Sequence, residues 1–132
     1  MRFILMMHVP SGARDYQIDS WAPADFEAHI AFMNDLNAKL SAVGELAGAE
    51  GLAPPGQAKI VRASTNGAPV VTDGPFAETK EFLAGYWIVQ VDRPERAYEI
   101  AAEASAAPGP GGDPLNMRIE VRQVMDGPPD KA

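Results

Sequence analysis

At 132 residues, 46% of them hydrophobic and 22% charged, the chain is long enough for one domain with a real core and too short for two. A net charge of −7 speaks against nucleic acid, whose phosphates ask for a basic face. With no cysteine, disulfides, thiolate nucleophiles and cysteine metal sites are all excluded.

Residues 2–9 are an unbroken apolar run ending at His8 and Val9, the pattern of a central strand covered on both sides. The run is far too short to span a membrane or to serve as a signal segment, so the expectation is a cytoplasmic protein. Residues 11–22 form a polar loop carrying Tyr16 and Trp21, long enough to act as a lid. Pro23 then suits the first turn of a helix, and Phe26, Ile30, Met33, Leu36, Leu40 and Val43 follow its spacing as one stripe. Gly44 is expected to end that helix as a left-handed cap.

Residues 46–52 read as a weak, glycine-broken strand closed by Pro54-Pro55-Gly56. A short strand over 59–63, the Asn66-Gly67 turn signal and a return over 70–72 make a small hairpin. Residues 83–91 form a long buried strand. Asp92 is placed to cap a second helix, with Pro94 in its first turn and an alanine-rich body over 95–106. The Gly/Pro segment 108–114 is expected to be neither helix nor ladder. Met117, Ile119 and Val121 alternate with Arg118, Glu120 and Arg122, as in a strand with one polar face. The order β-α-β-β-β-α-β, with its inserted hairpin, predicts an α+β, ferredoxin-like fold over residues 1–125 and a tail over 126–132. Two helices cover one face of the mixed or antiparallel sheet. Phe3, Leu5 and Met7 fill one side of the first strand, whereas Ile4 and Met6 fill the other. That second face calls for a partner subunit, so a homodimer is expected.

Between the hairpin and the long strand lies Asp73-Gly74-Pro75-Phe76-Ala77-Glu78-Thr79-Lys80-Glu81. Asp-Gly-Pro signals a turn in which glycine tolerates positive φ, and the charges that follow suggest a loop held over the sheet. These nine residues are identical to the signature of the DGPFAETKE family, part of the wider YCII-related group. Residues 44–52 resemble that family's G-x-L-x-x-G-E-x-L segment with Ala49 shifting the spacing by one, and Glu120-Val121-Arg122 resembles its last strand. The resemblance covers roughly residues 1–124 and implies a ferredoxin-like fold of the dimeric α/β barrel type. It implies no established reaction.

His29 lies within the apolar stripe of the first helix, facing the sheet. It is either a core histidine bonded to one carbonyl or hydroxyl, or a general acid or base in a helix–sheet cleft. Ala28-His29-Ile30-Ala31 resembles the A-H-L-A helix segment of YCII-type proteins, which implies a histidine working with an acid. In that group the acid lies in a D-P-Y segment after the second helix. The matching stretch here, Ala107-Pro108-Gly109-Pro110, has none, so Asp73 is the candidate partner, against the alternative of an ordinary turn-opening Asp. His8, Glu50, Lys80 and Arg122 are candidate ligand contacts, set against plainer readings: His8 filling the space of an aromatic, Glu50 and Arg122 on a solvated strand face or in an intersubunit ion pair, and Lys80 in a solvated loop. Two histidines without a spaced pair do not make a zinc site, and nothing in the sequence demands a cofactor.

Two functions are compatible with these residues. One is a small-molecule enzyme or binder doing His/Asp acid–base chemistry on a small polar ligand, in a cleft closed by the 73–81 loop. The other is a non-catalytic sensor or accessory protein. The family resemblance implies a setting beside extracytoplasmic-function sigma factors, and hence a sigma factor as partner. An open pocket at His29 favours the first, a sealed apolar contact the second.

Overall fold

The computed structural model describes residues 1–11, 18–76 and 80–127. Its elements are β1 (Arg2–Pro10), α1 (Pro23–Ala42), β2 (Leu46–Gly51), β3 (Lys59–Arg62), β4 (Val70–Asp73), β5 (Glu81–Gln90), α2 (Pro94–Ser105) and β6 (Arg118–Gln123), with short 3-10 turns at Ile18–Ser20, Pro55–Gln57 and Pro110–Gly112. The main sheet has the order β2-β5-β1-β6 with every neighbouring pair antiparallel. This is the expected ferredoxin-like α+β arrangement. β3 and β4 form a separate two-stranded sheet, the hairpin marked by Asn66-Gly67, where Gly67 has φ +83°.

One sheet face carries the core. Phe3, Leu5, Trp87 and Val89 pack beneath Leu36 and Leu40 of α1 and Ala97, Ile100, Ala101 and Ala104 of α2. The alanines let α2 lie close to the sheet, so a helix of low overall hydrophobicity still buries a complete face. The opposite face presents Ile4, Met6, Tyr86 and Ile88 with Glu120 and Arg122, all only partly buried or exposed.

Several details depart from the sequence pattern. In α1 the buried line is His29, Leu36 and Leu40. Phe26, Ile30 and Val43 are each at least 40% exposed, because the stripe is wider than the strip of sheet beneath it. Arg93, not Asp92, is the N-cap of α2; it is extended and makes no side-chain cap bond, as the Pro94 ring disfavours helical φ/ψ for its predecessor. Gly44 has φ +76° as expected, but Gly74 is not among the positive-φ glycines. What requires glycine at position 74 is space, since a Cβ would lie 3.3 Å from the Ala58 carbonyl and from Ile60 Cδ1. The 108–114 segment contains a 3-10 turn and an isolated antiparallel bridge between Pro108 and Pro114. Tyr16, Glu78 and most of the proposed tail lie outside the described residues. Among the described residues, no helix is long and apolar enough to cross a membrane.

Two local constraints lock β2 into place. Arg96 of α2 grips Glu45 in a fork, Nε donating to Oε2 at 2.8 Å and Nη2 to Oε1 at 2.9 Å. That bond holds the Glu45 carboxyl below its ordinary value of 4.5. At the other end of β2, a Cβ on Gly85 would sit 2.9 Å from the Glu50 carbonyl oxygen. Gly85→Ala should therefore cost about 1–3 kcal/mol in chemical denaturation; an unchanged midpoint would mean the two strands can separate freely there. Because the folded Glu45 value is depressed, its contribution is complete above pH 4.5 and lost as pH falls through the lower folded value. Glu45→Gln should lower the melting temperature at neutral pH and converge on the wild type in acid, as followed by circular dichroism.

Candidate functional site

The two helices do not cover the sheet evenly. α1 joins the core through Leu36 and Leu40, whereas its face carrying His29, Met33 and Asn37 stands over a cavity of about 750 Å³. The cavity lies at the end of the sheet where β1 finishes, β5 begins and β2 finishes. Met7 and Val9 supply the β1 wall, Phe82, Gly85 and Trp87 the β5 wall, and His29, Met33 and Asn37 the helix wall. Residues 18–21 and 52–56 line its remaining sides, together with Leu115 and Met117. The described residues of the 73–81 loop are not among those that line it, and residues 77–79 of that loop lie outside the described residues.

His29 is 5% exposed, the one buried polar residue of the described core. Its Nδ1 lies 3.0 Å from the Pro108 carbonyl oxygen. A carbonyl can only accept, so Nδ1 carries the proton in the neutral ring and Nε2 keeps its lone pair. Trp21 stands edge-on to the imidazole, with ring centroids 5.3 Å apart and planes at 84°. Both sequence readings of His29 thus contain part of the answer, since the ring is bonded to a carbonyl and also faces a cavity.

The Pro108 carbonyl is positioned by the chain that leaves α2. Leu115 N donates to Ala107 O at 2.9 Å, Gly109 N to Asp113 O at 2.8 Å, and Ser105 Oγ to Met117 O at 2.5 Å. Gly109 has a second role, because a Cβ there would fall 2.4 Å from Leu115 Cδ2. Its bare Cα lets Leu115 cross beside the His29 anchor and reach the cavity wall.

Asp73 is not brought to His29. It ends β4 with a side chain 91% exposed, and Oδ1 accepts from Lys59 Nζ at 2.6 Å. The stretch that lacks an acid, 107–110, is the one that meets His29, and it does so with backbone. The other candidates separate as well. His8 stands on the outer sheet face opposite Arg118, its Nε2 3.0 Å from Glu120 Oε1, with Arg122 Nε 3.9 Å from Glu120 Oε2. Glu50 pairs with Tyr86 at the end of β2 and is among the cavity-lining residues. Lys80 is exposed, and its carbonyl accepts from Ser11 N at 2.8 Å. Sequence reasoning missed Asn37, whose Oδ1 accepts from Trp87 Nε1 at 2.9 Å. Its spacing of eight from His29, two helical steps along one face, was the available signal. No group of three or more His, Asp or Glu side chains that could hold a metal occurs among the described residues.

The YCII-related domain matches residues 22–109, a span that begins just before α1 and ends just after Pro108. The chain belongs to the YCII-related family. It is also 31% identical over 105 residues to an uncharacterized protein of Rhizobium meliloti (strain 1021), the match covering 80% of each chain. In this YCII-related protein the backbone contact to His29 thus falls inside the matched span. Long-range 15N–1H correlation spectra should show the neutral His29 ring protonated at Nδ1; an Nε2–H tautomer would contradict the bond to Pro108.

Proposed function

We propose that this YCII-related protein binds a small molecule in the cavity beneath α1, with His29 Nε2 as the proton-accepting atom. The observation that carries the reading is a buried imidazole tethered through Nδ1 while its ring lines an open cavity of about 750 Å³. A carbonyl fixes the tautomer and ring orientation as a carboxylate would, but it brings no full negative charge. His29 therefore acts here without Asp73, and the reading rests on a single base and not a His/Asp pair. The lining, rich in Met, Trp, Phe, Leu and Pro, favours a mainly apolar molecule over the small polar one that the sequence suggested.

A ligand that binds without turnover would make the same cavity the input of a sensor, and release of a transformed product separates the two. Ligand-observed NMR with a library of neutral apolar fragments tests the binding itself. Hits should survive Arg122→Ala on the outer face and disappear in Met33→Trp, which fills the cavity from the helix side. A library without hits against the unmodified protein would overturn the reading.

The outer sheet face supports a homodimer. Ile4, Met6, Tyr86 and Ile88 form a contiguous, partly buried apolar patch flanked by Glu120 and Arg122, a composition suited to an isologous interface. Sedimentation at micromolar concentration should give twice the chain mass, and Ile88→Glu should give monomers; a monomeric wild type would remove the dimer.

A further inference from the structure

Resting on the cavity reading, we infer that the ligand is a neutral, elongated, mainly apolar molecule held at both ends, by a hydroxyl donated to His29 Nε2 and an oxygen acceptor received by the Asn37 side-chain amide. His29, Met33 and Asn37 succeed one another at four-residue steps along α1, and all three line the cavity. Eight residues of helix separate the two polar groups by about 12 Å, with a methionine between them. Their hydrogen-bonding senses are fixed and opposite. Pro108 O takes the Nδ1 proton, which leaves His29 an acceptor at Nε2. Indole Nε1 of Trp87 can only donate, so Asn37 must face it with Oδ1, which leaves the Nδ2 hydrogens for another partner. Neither Nε2 nor Nδ2 has a hydrogen-bond partner among the described residues.

Charge narrows the class further. Among the described residues, the ionisable groups at the cavity besides His29 are Asp19 and Glu50, both exposed, and the Tyr86 phenol, and no described lysine or arginine lines it. Against this described lining, an anion would leave water without a compensating cation, at a cost that a neutral ligand avoids. The wall between the two polar ends is Met33, Met7, Phe82 and Trp87, which suits a hydrocarbon body. Trp87 is a positioning residue in this scheme, since its indole turns the Asn37 amide.

The probes are 10-hydroxydecan-2-one, decan-1-ol and decan-2-one, which share a chain length and differ only in their polar ends. Titrations followed by 1H–15N NMR should show the hydroxyketone binding roughly 3- to 10-fold more tightly than either singly functionalised chain. The Asn37 side-chain amide pair should shift with the two ketones, and the His29 ring resonances should shift with the hydroxyketone and stay still with decan-2-one, which has no proton to donate. Asn37→Leu should reduce the hydroxyketone to the affinity of decan-1-ol, and His29→Phe should reduce it to that of decan-2-one. Because the probe series is run on the unmodified protein, the outcome does not depend on either variant folding. Equal affinities for all three chains, or a silent Asn37 amide, would overturn two-ended recognition and leave the cavity reading standing. If none of the three binds, two-ended recognition also fails, and the fragment screen decides the cavity reading separately.

Discussion

The rest of the structure depends on keeping one face of the β1–β5 pair dry with two helices of unequal length. β1 and β5 are paired from Arg2 opposite Gln90 to Pro10 opposite Glu81, and their shared inner face begins with Phe3, Leu5, Trp87 and Val89. α2 has 12 residues and α1 has 20, about 18 and 30 Å of helix. Where both lie over the sheet, Leu36, Leu40 and Ile100 close the core completely. Where only α1 continues, the sheet is roofed without being filled. The cavity is thus a product of the same hydrophobic demand that folds the protein.

The fold was legible because its signals are local and redundant. Strand and helix periodicities, the Asn66-Gly67 turn and the Gly44 cap each point to the same element order. The site was harder to read for a physical reason. His29 declared itself through helical spacing, but its partner is the carbonyl of Pro108, and a backbone atom leaves no residue-type signature. The search for an acid therefore settled on Asp73, a prominent charge in a prominent loop, which the structure pairs with Lys59. Asn37 was passed over because a polar residue on an apolar stripe looks like interruption until the indole opposite it is seen. His8, Lys80 and Arg122 carry charge or a ring, yet nothing in their spacing revealed that they sit on different surfaces.

Tethering an imidazole by a main-chain carbonyl also changes what can vary. The acceptor at position 108 persists whatever side chain stands there, provided the path from α2 to β6 holds its shape. Control of the ring passes to Gly109, Leu115 and the hydrogen bonds around them. Packing then governs the candidate base, where a carboxylate partner would have made charge the governing quantity.

The register slip in β5 has a further consequence. Met7 stands opposite Gly85 but His8 stands opposite Leu83, so Ala84 is an extra residue on that strand. Beyond it, Phe82 comes to lie opposite Val9 and lines the cavity, whereas Leu83 faces the row of His8 and Arg118. Regular pairing at full length would instead set Ala84 opposite His8 and Leu83 opposite Val9, sending the aromatic ring outward and an aliphatic chain inward with no substitution at either site. Ala84 could therefore be lost without moving Phe82 from the pocket wall, whereas a slip ironed out at full length would remodel that wall and the outer surface together while every residue identity stayed the same.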